Sequence, residues 1–121
     1  MIADQVWAFA NDWISAWNSR DLDAILSHYD DAVELTSPVA ARLLSLEDGK
    51  ICGKDNLRAY FRRGLEAYPN LRFDFRDVLG GLNSVVLYYT NQSASLTAEF
   101  MEFSADGKVT RVVANYSVPR S

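Results

Sequence analysis

Cysteine is almost missing from this sequence. Cys52 stands alone, so no internal disulfide can form, and no CxxC or paired Cys/His spacing offers a structural zinc site. Histidine is equally scarce, and with His28 as the sole imidazole a multi-histidine metal centre is excluded. Basic clusters are lacking too: none exceeds the pair Arg62-Arg63, and the net charge is −4. That balance speaks against binding to phosphate backbones. No apolar run approaches the roughly 18 residues of a membrane span. The stretch Met1–Gln5 has neither the basic start nor the apolar core of a signal peptide. The resulting expectations are a cytoplasmic setting, no membrane, no nucleic-acid partner, no metal and no cofactor. Linkers, low-complexity runs and internal repeats are also wanting, so the 121 residues read as one domain, 1–121, with hydrophobic residues at 49% supplying its core.

What is present begins with aromatic helices. Val6, Phe9 or Ala10, Trp13 and Trp17 recur at helical spacing, widened by Trp7 and Ile14, and predict a first helix from about Asp4 to Asn18. Asp21 is a candidate N-cap for a second helix with Leu22, Ile25, Leu26 and Tyr29 on its buried side. Ala32–Ser37 alternates like a short strand and stops at Pro38, which has no N–H to give a ladder. From Val39 to Gly53 the pattern is mixed, which suggests an irregular excursion near a pocket mouth, with Cys52 buried as a small apolar residue. Asp55 then opens a third helix whose stripe is Leu57, Tyr60, Phe61 and Leu65. Arg58, Arg62 and Arg63 lie mostly off that stripe and read as a solvated basic face, with anion binding as the alternative.

After Leu71 the period changes from helical to two. Leu71, Phe73 and Phe75 alternate with Arg72, Asp74 and Arg76, and Gly80-Gly81 turns the chain. Val85–Thr90 is continuously apolar and predicts a central strand covered on both faces. Ser95–Phe103 follows, then an Asp106-Gly107 turn and a closing strand over Val109–Val118.

One residue in the penultimate strand breaks the pattern. Glu99 alternates in phase with Ser95, Thr97, Met101 and Phe103, whereas Leu96, Ala98, Phe100 and Glu102 take the other face. A carboxyl on an apolar strand face is desolvated, and its pKa should rise. Glu99 is thus the candidate polar point of a pocket, or a buried acid bonded to a neighbour such as Trp13 or Tyr116. His28, beside Tyr29, is either a packing and capping histidine or an acid/base near Glu99 and Ser37. Ser37 is either a strand-end serine bonded to backbone or a pocket residue.

The order of these pieces resembles the nuclear transport factor 2-like superfamily, which includes SnoaL-like and ketosteroid-isomerase-like proteins. The resemblance is carried by Ala16–Ile25, by Tyr29–Val33 with Ser37-Pro38 following, by Gly53–Phe61, and by Glu99–Phe103 with Asp106–Val109. It implies an α+β fold in which a curved, mostly antiparallel sheet wraps around three N-terminal helices, forming a cone with an internal pocket. The chain resembles an uncharacterised bacterial member. Side chains expected to line the pocket are Trp13, Trp17, Tyr29, Ser37, Tyr60, Phe61, Glu99, Met101 and Tyr116. In the ketosteroid isomerases a helix-borne tyrosine and a protonated strand aspartate form the oxyanion hole, and a second aspartate is the base. Here Trp13 stands for the tyrosine and Ser37 for the base, and only Glu99 keeps its acid, so steroid isomerisation is not expected. The Asp-Arg-Asp set of the epoxide-hydrolase branch finds no match. The acid of the polyketide-cyclase branch is a role Glu99 could fill.

Three readings follow. The chain binds a small, largely apolar molecule in its pocket. Or it is an isomerase, cyclase or hydrolase acting through Glu99, with His28 or Ser37 assisting. Or it is an interaction domain whose cavity is filled by its own bulky side chains. The superfamily commonly dimerises through the outer sheet face, which here would carry Leu96, Ala98, Phe100 and Val113, so a homodimer is expected.

Overall fold

The computed structural model describes residues 1–120. Its elements run α1 (Ala3–Asn18), α2 (Leu22–Leu26), β1 (Tyr29–Thr36), α3 (Pro38–Leu44), β2 (Lys50–Cys52), α4 (Lys54–Ala67), β3 (Asp74–Gly80), β4 (Ser84–Thr90), β5 (Leu96–Phe103) and β6 (Val109–Tyr116). The six strands form one curved sheet in the order β2-β1-β6-β5-β4-β3, antiparallel throughout except where β1 runs parallel to β6. The expected α+β cone is observed. Bulges between Phe75 and Asp77, and between Glu102 and Phe103, shift the register and bend the sheet.

Local chemistry explains most boundaries. Asp21 caps α2 by accepting from the Ala24 N–H at 3.1 Å. The motif after Trp17 works at long range. Asn18 clamps the Phe73 backbone in both directions, its Oδ1 accepting at 2.8 Å and its Nδ2 donating at 3.0 Å. Arg20 donates to the Leu65 and Tyr68 carbonyls at the end of α4, satisfying acceptors that the helix leaves open. The end of α1 is thereby tied to the C-terminal end of α4 and to the segment leading into β3.

Four expectations need correcting. Tyr29 is not the last buried residue of a helix but the first of β1, because α2 stops after a turn and a half. The 39–53 excursion is ordered: Ser37 caps α3 with Pro38 at its first turn, and β2 pairs with β1 as an edge strand. Gly49, at φ +64, closes that segment onto Ser37; a Cβ there would lie 2.7 Å from the Ser37 carbonyl oxygen. Cys52 is exposed rather than buried, since β2 turns only Ile51 inward. Finally, β4 is covered on one face: Val85, Leu87 and Tyr89 are buried, whereas Val86 and Tyr88 are half-buried on the outer side. Among the described residues there are thus four helices, not three, and two early strands, not one.

Candidate functional site

Sheet register positions the centre of the site. On the inner face, Leu87, Glu99 and Ala114 lie in one row across β4, β5 and β6. Tyr89, Thr97 and Tyr116 form the next row outward, and Val85, Met101 and Val112 the next row inward. Glu99 is therefore flanked diagonally by two tyrosines, within reach of long side chains on neighbouring strands. Ala114, directly opposite, is too small to fill the space beside it.

The carboxyl sits in the wall of a cavity of about 500 Å³. Trp17, Phe61, Phe73, Tyr89 and Tyr116 form its aromatic sides, with Leu35 and Ala114 between them. The exposed lining residues, Arg42, Leu43, Arg63, Ala67, Tyr68, Gln92 and Ser93, mark its mouth. Behind the lining, Trp13 stacks on Phe73 with ring centroids 5.8 Å apart, and Phe73 packs against Tyr89 at 4.5 Å. These contacts hold the aromatic wall in fixed positions.

Glu99 is 8% exposed, and its Oε2 accepts a hydrogen bond from the Tyr89 hydroxyl at 2.7 Å. Burial disfavours the carboxylate and pushes the pKa up to about 7, while the Tyr89 bond pulls in the opposite sense. Tyr89 is itself raised, by burial and then by the charge of Glu99. Tyr60 and Tyr116 are raised by burial as well, with the nearby Ser37 hydroxyl and the positive charge of Arg42 acting to lower them. At neutral pH the carboxyl can thus either donate or accept a hydrogen bond inside an apolar container.

The expected site residues divide into two sets. Trp17, Ser37, Tyr60, Phe61, Glu99 and Tyr116 line the cavity together. Trp13, Tyr29 and Met101 do not. Trp13 and Tyr29 bond to each other, indole N–H to phenol oxygen at 2.9 Å, and Met101 lies one row inward of Glu99, with no exposed surface. The partner of Glu99 is Tyr89, neither Trp13 nor Tyr116. His28 is also outside the lining. It sits at the corner between α2 and β1, where its ring packs edge-on against Phe9 and its Nδ1 lies 3.2 Å from the Ile25 carbonyl oxygen. Ser37 is both things the sequence allowed. Its Oγ caps α3 by accepting from the Val39 N–H at 3.1 Å, and the residue also lines the cavity.

Sequence reasoning missed Tyr89, Phe73, Arg42, Gly64 and Ala114. For Tyr89 the signal was available: it alternates with Val85 and Leu87, and that parity puts it on the Glu99 face once the strands are paired. Nothing local marks the others. Among the described residues no group of three or more His, Cys, Asp and Glu side chains is placed to hold a metal ion. Nor is any helix long and apolar enough to cross a membrane.

Comparison with known proteins adds the following. The family model described as the SnoaL-like domain matches residues 10–112. A SnoaL-like protein of unknown function from Burkholderia thailandensis E264 is 35% identical, with 98% of this chain and 99% of that one covered at a TM-score of 0.94. A SnoaL-like protein from Agrobacterium tumefaciens str. C58, provisionally called an isomerase, is 14% identical, covering 95% and 99% at a TM-score of 0.75. TerC, co-crystallized with polyporic acid, is 17% identical, covering 93% and 92% at a TM-score of 0.75. No curated protein matches the chain.

Proposed function

Because the chain belongs to the SnoaL-like domain family, we propose that it works through its cone, binding one small, largely apolar molecule against the aromatic wall with Glu99 as the polar contact. The observation that carries this reading is the open cavity of about 500 Å³ with a single carboxyl in its wall. The filled-cavity alternative is less favoured, because a cavity of about 500 Å³ stays open although the bulky Trp17, Tyr60 and Phe61 line it, while Trp13 and Met101 pack outside the lining. Helix α4 supports the same reading. Gly64 lies within it, lines the cavity, and has nothing within 4 Å of where a Cβ would stand. A glycine inside a helix costs about 0.5–1 kcal/mol relative to alanine, and here its missing side chain keeps the entrance wide.

Gly64→Trp tests the proposal, since it fills the cavity from a position with free space. Titration with the neutral fluorophore phenylnaphthylamine should show one saturable site per chain in the wild type. Affinity should fall at least tenfold in Gly64→Trp, with the circular dichroism spectrum unchanged. Equal affinity in both would place the probe elsewhere and sink the reading.

A second reading is favoured by one observation, the elevated pKa of Glu99 beside the Tyr89 phenol. Such a carboxyl is suited to pass a proton to or from a bound molecule near neutral pH. His28 takes no part in that version, being outside the lining. The assembly is proposed to be an isologous homodimer. Leu96, Ala98, Phe100 and Val113 lie on the outer sheet face with Val86 and Tyr88, and α1 and α4 pack on the opposite side. Arg111 and Glu102, paired at 2.9 Å, border this patch with opposite charges that a two-fold axis could match to a second copy. The proposed setting is the cytoplasm, which the exposed free thiol of Cys52 suits.

A further inference from the structure

The charge of the cavity wall runs against the charge of the protein. The chain carries 16 acidic and 12 basic residues, yet the lining holds two arginines, Arg42 and Arg63, and one acid, Glu99. Neither arginine has a carboxylate partner among the described residues, where the ion pairs are Arg58–Asp23 and Arg111–Glu102. The two side chains come from different helices and are both exposed parts of the same lining, Arg42 from the last turn of α3 and Arg63 from α4 beside Gly64. We propose that the molecule taken by the cavity is an organic acid, with its apolar body against Trp17, Phe61 and Phe73 and its anionic group held at the mouth by Arg42 and Arg63.

The chemistry supports this assignment from two sides. A guanidinium is planar and presents paired N–H donors that match the oxygens of a carboxylate or sulfonate. Beyond the mouth the lining carries only neutral polar groups such as Ser37, Asn91 and Ser95 and the single acid Glu99 among its aromatic and aliphatic side chains, so an anion meets no other cation further in. The charge of Arg42 is also felt inside, where it acts on the Tyr60 and Tyr116 hydroxyls. Glu99, at the inner end, is spared from repelling such a ligand because its proton is retained to near neutral pH. An apolar molecule with a terminal acid thus meets complementary chemistry along its whole length.

This inference rests on the cavity-binding reading, and its test separates the two. Anilinonaphthalene sulfonate and phenylnaphthylamine share an aromatic body and differ in the sulfonate. In the wild type the sulfonate should bind at least tenfold more tightly, and that advantage should shrink as salt is raised. The Arg42→Gln/Arg63→Gln double variant should bring the sulfonate down to the level of the neutral probe. Equal affinity of the two probes in the wild type, or an advantage that the double variant leaves intact, overturns the acid assignment while the cavity reading stands. Titrations of both probes that Gly64→Trp leaves unaltered overturn the two together.

Discussion

Glu99 holds a carboxyl where Leu87 and Met101 around it show that an aliphatic side chain would pack. Its cost depends on pH. Below about pH 4 the group is neutral in both the folded and the unfolded chain, and no penalty arises. As pH rises from the ordinary carboxylate value of 4.5 to about 7, the unfolded chain releases the proton first, and folding loses stability. The full loss is roughly 3 kcal/mol, reached above pH 8. Glu99→Gln removes the ionisation while keeping a group able to bond Tyr89. Urea unfolding of both proteins should therefore show the variant gaining on the wild type by that order between pH 5 and pH 8. A constant difference across this window would mean that Glu99 is not desolvated. Tyr89 limits the penalty without abolishing it: one hydrogen bond at 2.7 Å stabilises the carboxylate but cannot replace a hydration shell.

At the scale of elements, legibility followed the range of the forces involved. The inward face of β5 was readable because period-two alternation depends only on neighbouring residues, and Thr97, Glu99, Met101 and Phe103 are indeed the buried set. The start of β1 was not, because Tyr29 completes the i, i+3, i+4, i+7 stripe of Leu22, Ile25 and Leu26 as well as it begins a strand. Ser37-Pro38 carries a helix-start signal as well as a strand-end one, and the latter is the more obvious in the sequence. Both apply, since the serine ends β1 and caps α3. The apolar run Val85–Thr90 suggested two covered faces, but one of them is the outer side of the sheet. The mouth was the least legible part. Arg42 and Arg63 are 21 positions apart in sequence, on helices whose approach is decided by tertiary packing, so no local pattern joins them. Gly64 was invisible for the same reason: its meaning lies in the space its side chain would occupy.

For the whole molecule, the sheet has two uses. Its concave side surrounds the cavity, and its convex side leaves Phe100 and Leu96 without cover from any helix. Sedimentation at tens of micromolar should find a dimer, and Phe100→Glu should convert it to monomer while the cavity still takes phenylnaphthylamine. A wild-type protein that sediments as a monomer would remove the outer face from consideration as an interface. The two faces meet at β5, where Glu99 and Phe100 point in opposite directions from adjacent positions. The question that matters most for the inner face is whether Glu99 is a protonated group in an open apolar container. Carboxyl-detected carbon NMR of the glutamate side chains across a pH series answers it directly. The Glu99 midpoint should lie near 7 in the wild type, and should move higher still in Gly64→Trp, where an indole filling the entrance would shield the carboxyl further from solvent. A midpoint near 4.5 in both proteins would contradict the site as described.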